Sequence, residues 1–424
     1  MDLEAFELGE KNLEKTGGLI NEQLVTRWRD LSKSSTETLL RFKPVPPLRP
    51  TELLAEVIFF PTHGSFWLAS DPIVRHPRAM EFLSSGEFVF GNGGVGRVLK
   101  VGPEACGAKV GDYVAIMGHY SCDHEDCHGC RALGCFVECD YGEGKILGHG
   151  KGALDGSFSK YVILPMYSWV VCAAAPYELG SHALKKYMYA YIVADVNNAL
   201  RRIPEIDSKE RVLLVGAGIS GHLFISSLLS QNSSRRFLVV DVSYANLQSI
   251  KEIAPSNIST FQIRKTPPRP EQALKENSDH KGGLDNIMAF GEVVSKTFRS
   301  AWPDLVIESS SGDCQEYWLN TRVLKSRVSI LIFGFGMQSL VLPNEVLQLS
   351  GLSIFTSRGV GDSHNIQTAI NCIAGELGAV VEKFLIEKAR RFSTLEAFAN
   401  FVKKIHEKKE SAWAPNVYVT PNES

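Results

Sequence analysis

Five cysteines fall within one short stretch, CDHEDCHGCRALGCFVEC: Cys122, Cys127, Cys130, Cys135 and Cys139. Thiolates so closely spaced are ligands for a soft cation, and four soft or imidazole ligands make a closed tetrahedral zinc site that holds a lobe together without catalysis. A lobe with free thiols is the alternative. A second constellation is made of glycine and one acid. VGAGISG sets Gly216, Gly218 and Gly221 in G-x-G-x-x-G order, directly after an apolar run of strand length and at the start of a helix, and Asp241 ends the next such run. That context turns a common glycine pattern into a dinucleotide fingerprint. The first glycine permits the turn, the second lets backbone approach a pyrophosphate, and the third allows close helix–strand packing. The helix start offers free N–H groups to phosphate. Asp241 would accept from the ribose hydroxyls and repel a 2′-phosphate; Val242 and Ser243 follow it with no Arg, so NAD(H) is favoured over NADP(H). Ile219 and Ser220 complete the loop, giving a cofactor set with Gly216, Gly218, Gly221, Asp241 and Val242.

These residues need elements to hold them. From Arg211 onward apolar runs (RVLLV, FLVVD, STFQI, DLVIES, VSILIFGFG, LSIFTS) alternate with helical stretches, which implies a parallel sheet with helices on both faces. Ahead of it, TLLRFKPVPPLRPTELLAEVIFF reads as strand, proline-rich turn and strand, and GRVLKVG, GDYVAIMG and GSFSKYVILP continue a mainly β region to about Pro165. Residues 181–202 read as helix. Residues 1–33 read as an N-terminal extension, with Ile20, Leu24, Trp28 and Leu31 at helical spacing. Residues 264–280 read as a polar surface loop, and beyond Thr356 the chain is helical until a short NVYVT strand.

The bounds agree with a multi-domain globular protein. At 424 residues the chain exceeds one compact core. A net charge of −2 gives no basic field for nucleic acid. No apolar run approaches the roughly 20 residues of a membrane span. The acidic start MDLEAFELGE does not read as a signal peptide, so a cytoplasmic protein with reduced cysteines is expected.

With EVIFF, GVGRVLKVGPEACGAKVGDYVAIMG, DGSFSKYVILP, VNNAL, VLLVGAGISG, VVDVS and ILIFGFG in this order, the chain from about Thr36 resembles the medium-chain dehydrogenase/reductase superfamily of zinc alcohol dehydrogenases and quinone reductases. The resemblance implies an α/β protein: a GroES-like β-rich catalytic domain at residues 34–184, a Rossmann domain at 185–355, and a return to the first domain at 356–424. It implies a homodimer or homotetramer with a small-molecule substrate, no nucleic acid and no membrane, and it adds Gly334 in ILIFGFG to the cofactor set. It also implies a structural zinc lobe of C-x2-C-x2-C-x7-C spacing, in which Cys127 and Cys130 fit the central pair, Cys139 lies one residue beyond the fourth ligand position, and Cys122 or the in-register His124 supplies the first. In the zinc enzymes the catalytic metal is held by a Cys, by the His of a Gly-His-Glu triplet, and by a later Cys or acid. Here those places hold His63, the triplet Gly91–Asn92–Gly93, and the neighbourhood of Tyr191 and Ile192. The resemblance therefore points to an enzyme that has lost its catalytic zinc.

Two readings of His63 stand, an acid/base residue or a structural histidine beside a turn. Ser65 matches the hydroxyl that relays a proton in the zinc enzymes; the plain alternative is a turn serine. Asn92 offers an amide to substrate, and Tyr191 and Lys186 are wall residues. The function implied is an NAD(H)-dependent oxidoreductase acting on a small alcohol or carbonyl compound. Reduction of an activated C=C bond on the same scaffold, or NAD binding without turnover, are the alternatives.

Overall fold

The computed structural model describes residues 19–30, 35–62, 66, 87–120, 122, 124–132, 139–141, 145–148, 154–173, 181–263, 280–299, 301–310, 328–333, 352–356, 359, 363–406 and 417–422. The chain divides into two compact units. One comprises Met1–Tyr191, Gly361–Ile373 and Lys388–Ser424, the other Ile192–Val360 and Ala374–Glu387.

The first unit is β-rich. β1 (Ile20–Asp30) pairs antiparallel with β2 (Ser35–Pro44) and, through Val25 and Val89, with β4 (Glu87–Val89). The helix expected around Leu24 is therefore a strand. Residues 20, 24 and 28 have one parity, so the spacing that suggested a helix face also lines one face of a strand. The partner that decides between them, β2, lies outside the local window. A larger sheet runs β10 (Trp169–Ala173), β6 (Tyr113–Ile116), β5 (Gly94–Val101), β3 (Glu52–Pro61), β18 (Val417–Val419) and β17 (Arg390–Phe392), with β9 (Tyr161–Pro165) also paired to β3. β3 is apolar along almost its whole length because it is covered on both faces, and Val57, Phe59 and Phe60 are fully buried. A core of phenylalanines forms beneath it. Phe60 stacks on Phe158 with ring centres 4.4 Å apart, and Phe66 meets Phe158 edge-on at 5.0 Å. Helix α8 (Leu395–His406) closes this core with Phe398 and Val402.

Leading to the second unit, α1 (Ser181–Lys185) and α2 (Ala190–Arg201) are separated by a single tighter helical turn at Lys186–Tyr189, so the long helix read over 181–202 is interrupted. Six strands then form one wholly parallel sheet in the order β13 (Ile258–Gln262), β12 (Arg236–Asp241), β11 (Arg211–Val215), β14 (Leu305–Glu308), β15 (Ser329–Ile332) and β16 (Ser353–Thr356). Its helices include α3 (Ile219–Gln231), α4 (Tyr244–Lys251) and α5 (His280–Thr297). α6 (Ser363–Ala374) and α7 (Glu376–Val380) follow β16, and α7 runs into a helical turn at Val381–Ile386. The central strand β11 reads RVLLV because Val212, Leu213, Leu214 and Val215 are all fully buried. The sheet places the ends of β11 and β12 side by side, and these two ends carry the glycine loop and Asp241.

Candidate functional site

The glycine loop is shaped at both ends by close backbone approach. Gly216 has φ +99°, a conformation that side chains rarely adopt, and a Cβ on Gly221 would sit 2.3 Å from the Gly216 carbonyl oxygen. By contrast, a Cβ on Gly218 would meet nothing within 4 Å, so the space before the first turn of α3 is open. Ile219 and Ser220 begin that turn. The Asp241 carboxylate lies across the loop: Oδ2 accepts the Ala217 N–H and Oδ1 the Ser243 N–H, each at 2.6 Å. Burial raises its pKa above the usual carboxylate value, and the amides of Ser243 and Ala217 pull it back. Ser243 then caps α4 by accepting the Asn246 N–H at 3.3 Å, and the Val242 carbonyl accepts from Gln262 at 3.0 Å. Gly334 lies outside the described residues. An acid at the end of β12 beside an open, positively poled helix start is the arrangement of a dinucleotide-binding turn.

In the first unit, the turn Gly91–Asn92–Gly93 enters β5. Ser157 donates its hydroxyl to the Gly93 carbonyl at 2.6 Å, and its N–H bonds the Gly91 carbonyl at 2.8 Å. Tyr191, itself buried, lays its ring against Gly93 so closely that a Cβ there would be 2.2 Å from two ring carbons. Glycine at 93 and an aromatic at 191 therefore form a matched pair. The Asn92 Oδ1 is buried and, among the described residues, accepts no hydrogen bond. An unpaired buried amide oxygen costs about 1–3 kcal/mol, which a ligand donor would recover. His63 and Ser65 lie outside the described residues. The residues that flank them in sequence are anchored: the Thr62 N–H bonds the Val417 carbonyl at 2.9 Å, and Phe66 is fully buried among the aromatic rings.

The third cluster is the cysteine lobe. The Sγ atoms of Cys122, Cys127, Cys130 and Cys139 all lie within 4.8 Å of one another. The lobe is tied by Asp140, whose carboxylate accepts the His128 N–H at 2.6 Å, and by Tyr141, which donates to Asp126 at 2.7 Å. His124 stacks on Tyr141 with ring centres 3.9 Å apart. Cys135 is outside the described residues. Burial pushes the Cys122 thiol up to about 12. Four sulfurs within one tetrahedral span are the donor set of a structural zinc site.

Residues 67–174 match the alcohol dehydrogenase GroES-like domain family. An alcohol dehydrogenase structure from Thermotoga maritima superposes over 96% of this chain and 100% of its own, with a TM-score of 0.67 at 15% identity. The chain carries an alcohol dehydrogenase GroES-like domain and has the fold of these dehydrogenases. Another structure of similar fold is an alcohol dehydrogenase of E. coli CFT073 complexed with NADH (TM-score 0.64, 17% identity, 95% of this chain and 99% of that one). Among curated relatives, an L-threonine 3-dehydrogenase of Marinomonas sp. (strain MWYL1) is 29% identical over 206 residues, which is 46% of this chain and 53% of that protein. A probable D-xylulose reductase A of Aspergillus fumigatus is 25% identical over 257 residues, 59% and 63% respectively. The chain thus spans between half and two thirds of the length of these two relatives. Among the described residues, no helix is long and apolar enough to cross a membrane.

Sequence reasoning missed two contributors, Ser157 and His222. A serine in GSFSKY and a histidine on an apolar helix carry no spacing signal; only the approach of distant strands and helices gives them partners.

Proposed function

We propose that this chain is an NAD(H)-dependent oxidoreductase that moves hydride between nicotinamide and a small alcohol or carbonyl substrate without a catalytic metal. The observation that carries the reading is Asp241 set across an open glycine loop at the start of α3. The similar fold of an NADH-bound dehydrogenase and the dehydrogenase and reductase relatives support it. A bound nicotinamide supplies the hydride chemistry; the chain has to hold it, orient substrate and manage a proton. Asp241 would take the ribose hydroxyls and the N–H groups opening α3 the pyrophosphate. Asn92 would orient substrate by accepting from a donor on it, and His63 and Ser65 would carry the proton. A catalytic zinc does not fit the described residues at the turn, where an amide and a glycine stand in place of imidazole and carboxylate, and amides are weak zinc donors.

Isothermal titration of the purified chain with each nucleotide tests the cofactor assignment. NADH is expected to bind at least about tenfold more tightly than NADPH, because a carboxylate facing a phosphate costs more than about 1.4 kcal/mol. The ionised Asp241 is the form that accepts hydroxyls, so NADH affinity should fall as pH drops through its raised pKa. Equal affinities, or a preference for NADPH, would overturn the role given to Asp241.

We also propose that Cys122, Cys127, Cys130 and Cys139 hold a structural zinc. Elemental analysis and native mass spectrometry should find about one zinc per chain. Binding has to expel thiol protons, so the metal should be lost on acidification. A purified chain that is folded but carries no metal would refute this.

A further inference from the structure

His222 is not one of the fingerprint glycines, yet it binds the phosphate loop to the helix that follows Asp241. It is buried in the first turn of α3, and its ring Nδ1 lies 2.9 Å from the Gly218 carbonyl oxygen. A carbonyl can only accept, so Nδ1 carries a proton. The same oxygen also takes the His222 backbone N–H at 3.1 Å. Across the ring, Nε2 lies 3.1 Å from the Ser249 hydroxyl, which donates to it when the imidazole is neutral. Ser249 belongs to α4, the helix that begins directly after the Asp241–Ser243 turn. Phe384 lies beside the ring at 5.9 Å between centres.

Two consecutive loop residues are thus held from one side: Ala217 through its N–H by Asp241, and Gly218 through its carbonyl by His222. The peptide joining them is fixed at both ends, while the position beyond the Gly218 Cα stays open. We propose that His222, backed by Ser249, is a positioning residue that presets the loop N–H groups for a dinucleotide's pyrophosphate. This rests on the dinucleotide reading given above. It does not make His222 a catalytic residue, since the histidine acts on the ligand through Gly218.

The role separates the two halves of the ligand. ADP-ribose carries the pyrophosphate and the adenosine ribose; adenosine carries the ribose alone. Titration of the full chain with each, followed by calorimetry or ligand-observed NMR, is the test. His222→Leu keeps the bulk but loses both ring bonds, and is expected to weaken ADP-ribose about tenfold, the equivalent of about 1.4 kcal/mol, while leaving adenosine unchanged. Ser249→Ala removes one hydroxyl and should weaken ADP-ribose by about threefold, in the range of one neutral hydrogen bond. With both changes made, the loss should not exceed that of His222→Leu, because the serine acts only through the ring. Equal losses for both ligands would mean a collapsed helix, and no loss for either would mean an idle histidine; each overturns the proposal. The serine variant supplies the same comparison where the leucine variant does not fold. A wild-type chain that binds adenosine but not ADP-ribose would remove the pyrophosphate reading itself, and this inference with it.

Discussion

Replacing Arg235 by Met is expected to cost the second unit about 1–3 kcal/mol, the usual penalty for leaving a buried hydrogen-bonding group without its partner. The side chain is fully buried between the end of α3 and the turn before β11. Its Nε donates to the Lys209 carbonyl at 2.9 Å and one terminal nitrogen to the Ile206 carbonyl at 2.8 Å; the other bonds the Leu228 carbonyl and, at 3.3 Å, the Gln231 side chain. Leu228 is in the last turn of α3, and its carbonyl takes the guanidinium in addition to the Asn232 N–H at 3.1 Å. Burial pulls its pKa down, and nearby Asp207 pulls it back up. Methionine fills a similar volume but leaves three carbonyls without that donor. Lysine, a point charge without the planar fork, should recover only part of the loss. Urea unfolding followed by far-ultraviolet circular dichroism measures it. A Met variant within about 1 kcal/mol of the parent would show that water replaces the guanidinium without cost.

Such a clamp is invisible in the sequence, where QNSSRRF reads as a polar turn before a strand. What was legible followed from short-range pattern. The inner strands β12, β11, β14 and β15 announce themselves as apolar runs because a sheet covered on both faces buries nearly every residue there, while the edge strands β13 and β16 are more exposed. The glycine loop is legible because its backbone geometry restricts residue type at fixed offsets. The Cys127–Cys130 pair is legible by spacing, whereas the choice between Cys122 and His124 was not, since it turns on how the lobe folds. The structure sets Cys122 among the sulfurs and stacks His124 on Tyr141. β1 misled for the converse reason. Its spacing suits either periodicity, and the antiparallel pairing with β2, from Ile20 opposite Pro44 to Asp30 opposite Ser35, is what makes it a strand. β17 was also missed: three residues with two arginines carry no strand signal, and the segment exists by pairing with β18.

Changing Ser65 or His63 to Ala is expected to lower turnover by about 10²–10⁴-fold, the worth of a positioned acid or base, while NADH affinity stays unchanged. The expectation belongs to the metal-free reading. Without a Lewis acid, the proton that leaves or joins the substrate oxygen needs a protein group to carry it. Both residues lie outside the described part of the chain, but the residues on either side are well held. Thr62 is bonded to β18 through its N–H, with its hydroxyl 3.3 Å from the Val417 carbonyl, and Phe66 packs among Phe90, Phe158 and Phe398. The same reading requires that a chelator too weak to strip the cysteine lobe leaves turnover intact. Restoring a zinc triplet by Asn92→His with Gly93→Glu should fail unless Tyr191 is also made smaller, since any Cβ at 93 meets its ring. Hydride transfer followed near 340 nm with a panel of alcohols and aldehydes reads both parts. Alanine variants with undiminished turnover would return His63 and Ser65 to a structural role. A zinc anomalous peak within bonding distance of His63 would restore the metal to the mechanism.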